Sequence, residues 1–165
     1  MKKIVFIRHA KSSWADSTLD DFDRPLNERG KIDAPLMASK LKSQGIIPDL
    51  IVSSPAKRAK KTAKIFSKVM QLESEILFDE RIYEADEDTL LQVIHSLPTD
   101  KNIVFMFGHN PGFTWVVNQL CNLRIDNIPT CGFAIVACAV QNWNEICMGT
   151  NTLEYFDYPK NFLHT

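Results

Sequence analysis

An α/β fold is what this sequence predicts: a three-layer α/β/α sandwich around a mostly parallel sheet, with at least one antiparallel strand. Three observations carry that expectation. Short apolar, β-branched runs recur at residues 4–7, 50–52 and 103–107, each with the length and composition of a buried strand. Stretches with apolar residues at helical spacing separate them, and such alternation implies parallel strands covered on both faces. Two further apolar runs, at 132–139 and 145–149, follow each other without a helix between them, which implies an antiparallel member. The 165 residues suit a single domain, residues 1–165.

The elements follow in order. The first strand, 4–7, ends at Arg8-His9. Residues 10–24 are polar, contain Asp16, Asp20, Asp21 and Asp23 and show no period. They read as a loop, and long loops at strand ends often carry function. Asn27 is a helix N-cap and Gly45 the stop, with Ile32, Leu36, Met37 and Leu41 as the inward stripe. Pro35 falls inside that helix and is expected to kink it or remove one hydrogen bond. After strand 50–52, Ser54-Pro55 read as cap and first residue of a helix reaching about Met70, with Ala59, Ala63, Phe66 and Met70 on one side. Residues 75–78 read as a third strand, and 86–96 as a helix with Leu90, Leu91 and Ile94 facing inward. The strongest strand, 103–107, ends at Gly108-His109-Asn110-Pro111, and a helix over 112–121 follows. The segment 155–165 is aromatic and polar and is expected to pack on the surface. Trp115 is expected in the core, and Trp14 at a pocket rim or in the core.

Composition excludes several classes. The net charge of -1 supplies no global field for nucleic acid or an anionic membrane, so neither is an expected partner. Cys121, Cys131, Cys138 and Cys147 form no C-x-x-C pair and read as buried free thiols, which favours a reducing compartment. The apolar segment at the N-terminus is too short for a signal-peptide core, and no run approaches the ~20 apolar residues of a membrane span. A cytoplasmic location is expected.

Ligands of open α/β sheets bind outside the carboxyl ends of the strands. Three predicted strands end in polar chemistry: Arg8-His9, Ser53-Ser54 leading to Arg58, and Gly108-His109. Taken singly, each is an ordinary loop, core or surface residue. Together, two arginines beside two histidines with no acid adjacent in sequence are costly to bury unless an anion joins them, and a phosphoryl group resolves that cost. Lys57, Lys60, Lys61, Lys64 and Lys68 share the helix with Arg58, and residues 54–72 contain no acid. These lysines read as a solvated basic face able to steer an anion; Arg58, in the first turn, is the exception.

Four motifs resemble those of one family. Ile7-Arg8-His9-Ala10 resembles the R-H-G signature of the histidine phosphatase superfamily, the phosphoglycerate-mutase-like fold. Arg24-Pro25-Leu26-Asn27-Glu28-Arg29-Gly30 is similar to its R-P-L-T-x-x-G, and Ser53-Ser54 through Arg58-Ala59 and Thr62 to its S-S-x-x-x-R-A-x-x-T. Gly108-His109-Asn110-Pro111-Gly112 resembles its second-histidine element. The motifs keep the family order over residues 7–112, and the short chain looks most like the SixA-type phosphohistidine phosphatases. Two departures stand out. Ala10 replaces a glycine, which makes a positive φ less comfortable. The stretch where larger members insert a glutamate acid is short here, and Glu84 is its best local candidate.

The resemblance implies that His9 attacks phosphorus, becomes a phosphohistidine and is released by water. Arg8, Arg24 and Arg58 would bind the equatorial oxygens through planar donor forks, with a protonated His109 as a further donor. No metal and no cofactor are expected. Asp16, Asp21 and Asp23 are alternative proton donors, although each also reads as a solvated loop carboxylate. The expected partner is a phosphorylated protein carrying phosphohistidine, or a small phosphorylated metabolite. A small-molecule phosphomonoesterase and a non-catalytic phosphate-binding module are the alternative functions.

Overall fold

Six strands form one sheet in the computed structural model, which describes residues 1–160. They are β1 (Lys2–Arg8), β2 (Leu50–Ser53), β3 (Leu77–Phe78), β4 (Ile103–Gly108), β5 (Phe133–Cys138) and β6 (Thr152–Asp157), in the spatial order β3-β2-β4-β1-β5-β6. β1 pairs parallel with β4, β4 with β2, and β2 with β3. β5 runs antiparallel to both β1 and β6, so it alone opposes the common direction. The mostly parallel sheet with an antiparallel member is the expected fold.

Side chains alternate across a strand, and this alternation sorts the core into two layers. Ile4, Phe6, Val104, Met106, Ala134 and Val136 face one side, with α3 (Glu87–His95) and α4 (Gly112–Cys121) packed on them. Val5, Ile7, Phe105, Phe107, Phe133 and Ile135 face the other, under α1 (Glu28–Ser43) and α2 (Lys57–Val69). These strands are buried on both faces, which is why they read as continuous apolar runs.

Several local expectations are corrected. In α1, Asn27 caps as expected, its side chain accepting from Gly30 N. Its buried face is Ala34, Met37, Ala38 and Leu41, whereas Ile32 is exposed and Leu36 half-buried. Pro35 lies inside a helix that remains continuous from Glu28 to Ser43. α2 starts at Lys57, not at Pro55. Ser54 stays knitted to the sheet, its N–H donating to Phe107 O. The third strand shortens to Leu77–Phe78, and Val93 takes the inward place expected of Leu91. Residues 145–149 form no strand. A 3₁₀ turn at Trp143–Glu145 precedes a turn there, and the chain's last strand is β6. β6 thus takes in Tyr155–Asp157 of the segment expected to pack on the surface, and residues 161–165 of that segment lie outside the described residues.

Cys131 and Cys138 are buried as expected, Cys121 is half-buried and Cys147 is exposed. Trp115 is 48% exposed rather than in the core. No helix among the described residues is long and apolar enough to cross a membrane.

Candidate active site

The C-terminal ends of β1, β2 and β4 meet at one edge of the sheet. Backbone bonds hold them in register beyond the strands: His9 N–H donates to Gly108 O at 3.0 Å, and Ser54 N–H to Phe107 O at 2.9 Å. From the far side, Cys131 N–H donates to the carbonyls of Arg8 and His9, at 3.1 and 3.0 Å. Two chain segments, at Gly108 and Cys131, therefore fix the backbone of His9.

His9 is 7% exposed, and its Nδ1 lies 2.8 Å from Ala10 O. A carbonyl only accepts, so Nδ1 carries the proton and Nε2 keeps its lone pair. Arg58 Nε donates to that Nε2 at 3.3 Å. Burial, then the neighbouring cations, lower the His9 pKa to about 3 against the opposing pull of Ala10 O, so the ring is neutral. Ala10 fits its place without strain: it is fully buried and is not among the residues in the left-handed region. Its N–H donates to Thr62 Oγ1 at 3.0 Å, and the Thr62 hydroxyl donates in turn to Arg58 O at 2.7 Å.

His109 lies beside His9, the ring centroids 5.2 Å apart. Arg58 Nη2 is 3.4 Å from His109 Nδ1, and His109 Nε2 is 2.8 Å from Ser54 Oγ. A guanidinium only donates, so Nδ1 accepts and the Nε2–H donates to Ser54. Burial first, then Arg58, lower the pKa to about 3. The expectation of a protonated His109 is corrected for this arrangement: desolvation beside Arg58 keeps the ring neutral.

Arg58 is the hub. Besides both histidines it reaches Asp21, through Nη1 to the backbone carbonyl at 2.6 Å and Nη2 to Oδ2 at 2.9 Å. Tyr83 donates its hydroxyl to the same Oδ2 at 2.6 Å, and Arg24 Nη1 donates to Oδ1 at 3.1 Å. Burial pulls the Asp21 pKa upward, but Tyr83, Arg58 and Arg24 outweigh it and hold the carboxylate at about 2. The sequence offers Asp21 only as an alternative proton donor, a role its ionised carboxylate does not fit, and does not point to Tyr83. The one readable signal for Asp21 is its i,i+3 spacing to Arg24; Tyr83 carries none.

The remaining expected residues divide. Arg8 is half-buried at the end of β1, and its Nη1 donates to Ile128 O at 2.9 Å while its buried Nε has no partner among the described residues. Burial, then Arg58, lower the Arg8 pKa. A buried donor without a partner, in a guanidinium that repels its neighbour Arg58, is suited to an anion. Arg24 is buried but spends its donors on Ser12, Ser13 and Asp21 while stacking on the exposed indole of Trp14. It meets the cluster through Asp21. Glu84 is exposed, holds a φ of 56°, and lines a cavity of about 250 Å³ with His109, Asn110 and Trp115. Asp16 is bonded to Thr18 in the outer loop. No group of three or more His, Cys, Asp or Glu among the described residues is placed to hold a metal ion.

A model of the histidine phosphatase superfamily (branch 1) matches residues 4–100. The chain belongs to that superfamily. Membership makes it a phosphatase- or mutase-type enzyme. An uncharacterized chloroplastic protein of Arabidopsis thaliana is 32% identical over 153 residues, covering 87% of this chain and 70% of the relative. The crystal structure of a putative phosphohistidine phosphatase SixA from Agrobacterium tumefaciens superposes with a TM-score of 0.82 at 27% identity, covering 96% of this chain and 98% of the other. A protein histidine phosphatase SixA complexed with tungstate shares the fold, with a TM-score of 0.82 at 21% identity over 97% and 99% of the two chains. This chain is thus SixA-like within the superfamily. His109 lies beyond the residues matched by the family model, so its membership in the cluster rests on geometry.

Proposed function

We propose that the chain is a phosphatase that transfers a phosphoryl group to His9 Nε2 and then to water, and that its substrate is a phosphohistidine on a protein. One observation carries the chemistry. The His9 Nδ1–H is committed to Ala10 O at 2.8 Å, which leaves Nε2 unprotonated, its lone pair turned to the guanidinium of Arg58 that donates to it at 3.3 Å.

In the first step Nε2 bonds to phosphorus and the bond to the leaving group breaks. The ring gains positive charge, which Ala10 O stabilises through Nδ1–H. Arg58 and Arg8 bind the equatorial oxygens, Arg8 through the donor left unpaired in its side chain. His109, neutral and bonded through its Nε2–H to Ser54, packs beside His9 and accepts from Arg58 at Nδ1, so it positions that guanidinium. Arg24 acts on the phosphate indirectly, by positioning Asp21. In the second step water attacks phosphorus, the Nε2–P bond breaks, and inorganic phosphate leaves with His9 restored.

The leaving group decides the substrate. An alkoxide needs a carboxylic acid kept protonated near neutral pH. Asp21, held at about 2, is an anion and donates no proton. Glu84 and Asp86 are the carboxylates on the cavity shared with His109; Asp86 is held by the N–H of Thr89 at the start of α3, and we assign proton delivery to Glu84. An exposed donor of this kind suffices for imidazole leaving from phosphohistidine, which needs little help. Mutase chemistry, which retains an intermediate under a cover, is disfavoured because only β3, a 3₁₀ turn and α3 lie between α2 and β4. The four free cysteines fit a reducing compartment, and we place the reaction in the cytoplasm.

Incubation with a phosphohistidine-bearing phosphocarrier is expected to release phosphate and to leave ³²P transiently on His9. Efficient turnover of sugar phosphates with none of the phosphocarrier replaces this reading with a small-molecule phosphomonoesterase. Phosphate binding without any labelled His9 replaces it with a non-catalytic module.

A further inference from the structure

The basic residues of α2 do more than face solvent. Lys57, Lys60, Lys61, Lys64 and Lys68 are all exposed, and at 100° per residue they fall within an arc of roughly 100° on one side of the helix. The opposite side, Ala59, Ala63 and Phe66, is buried in the core. Like charges three and four residues apart oppose helix formation, so nothing in the stability of α2 accounts for the stripe. No carboxylate among the described residues comes within ion-pair distance of any of the five.

Four of these lysines line one cleft. It has a volume of about 500 Å³ and is closed on its other side by Pro25, Leu26 and Lys31. Both walls grow out of the candidate site: Lys57 directly precedes Arg58, and Pro25 directly follows Arg24. The cations therefore continue outward from the phosphate grip, for about 10 Å along the cleft from Lys57 to Lys64 and then past its end to Lys68, about 16 Å in all. That length exceeds the reach of a second phosphate on a small metabolite. The lysine stems and Leu26 provide an apolar floor beneath the charges, which suits a polypeptide.

We infer that the α2 cleft docks an acidic segment of the substrate protein, flanking the phosphorylated side chain that enters the His9 site. The inference rests on the protein-phosphohistidine reading and deepens it. Opposite charge along the cleft raises encounter rate and fixes orientation, while the His9 site performs the chemistry unchanged.

The test compares wild type with the Lys60→Glu/Lys61→Glu/Lys64→Glu variant on two substrates of identical bond type, a phosphohistidine-bearing acidic phosphocarrier and free phosphoimidazole. Charge reversal is expected to lower kcat/KM on the phosphocarrier at least about tenfold, chiefly through KM, and to abolish its salt dependence. Turnover of phosphoimidazole is expected to stay within about twofold, because none of these lysines touches the cluster around His9. An equal loss on both substrates, or no loss on either, overturns the docking role. Titration with a short unphosphorylated Glu-rich peptide separates the cleft from the substrate reading. Peptide binding that charge reversal abolishes supports the cleft even if the phosphocarrier is not hydrolysed, an outcome that instead sinks the substrate reading. Tripolyphosphate or single-stranded RNA binding where the peptide does not also overturns the assignment. The milder Lys60→Gln/Lys61→Gln/Lys64→Gln variant is expected to show the same split at reduced size.

Discussion

The parallel strands β1, β2 and β4 and the antiparallel β5 all bury apolar runs, yet they contribute differently to the candidate site. Each of the three parallel strands delivers side chains at its carboxyl end: Arg8 and His9, Ser54 leading to Arg58, and His109. β5 reaches the same edge by its amino end, and the segment before it supplies backbone only. Cys131 N–H binds the carbonyls of Arg8 and His9, and Gly132 O accepts from Arg8 N. One half of the sheet carries chemistry and the other holds its backbone still. Strand direction makes that division, because only carboxyl ends in a common direction gather loops at one place.

Substitutions on the two sides are expected to separate activity from stability. The largest effect falls on the nucleophile. His9→Ala is expected to lower turnover by at least about 10⁴-fold, the scale of loss when a covalent nucleophile is removed, with unchanged circular dichroism and no trapped ³²P. Retained labelling in that variant would place the nucleophile elsewhere. Arg58→Ala is expected to cost about 10²–10³-fold in kcat, and Arg58→Lys to recover only part of it, since one ammonium cannot serve His9, His109 and Asp21 together.

On the framing side, Trp143 is fully buried, and its Nε1–H donates to Pro98 O and Lys101 O at 3.0 and 2.9 Å. Trp143→Ala is expected to lose about 3–5 kcal/mol of stability while the folded fraction keeps its kcat. Denaturant melts alongside active-site titration check this, and a kcat that falls with stability breaks the division of labour.

The last expected effect is a pH dependence. His9 and His109, both lowered to about 3 from 6.5, bind fewer protons folded than unfolded between those values. Their contribution to stability is complete above about pH 6.5 and is lost as pH falls toward 3. NMR titration of the two rings is expected to show no protonation between pH 8 and 5. A midpoint near 6.5 for either ring would mean that water reaches the cluster.

The four buried strands β1, β2, β4 and β5 were the legible part of the sheet. β1, β2 and β4 carry apolar runs that end abruptly in polar residues, and α4 runs over residues 112–121 as expected. Elsewhere local signals misled. Ile146-Cys147-Met148 is the apolar stretch, but the strand is the half-exposed edge segment Thr152–Asp157, whose polar residues mask its alternation. Ser54-Pro55 looks like a helix start, but the Ser54 hydroxyl is engaged by His109 Nε2 and Ala56 N–H, and its own N–H by β4, so the helix waits until Lys57. The glycine of the Arg24–Gly30 motif became intelligible only in three dimensions. A Cβ on Gly30 would collide with the carbonyl of Lys11, so α1 sits directly on the backbone that follows His9. Asp21 was legible only as one of several loop acids, because what distinguishes it is the tertiary meeting of that loop with α2 and Tyr83.

Asp21 gives the site an internal counter-ion. Its carboxylate already occupies donors of Arg58 and Arg24 that a phosphate would use or organise around. An incoming dianion therefore exchanges with a resident anion instead of entering an uncompensated positive hole. Its affinity is the difference between two charge-assisted bonds, and the same exchange run backward helps inorganic phosphate to leave. Weak product inhibition by inorganic phosphate is the expected consequence, and Asp21→Asn is expected to strengthen it.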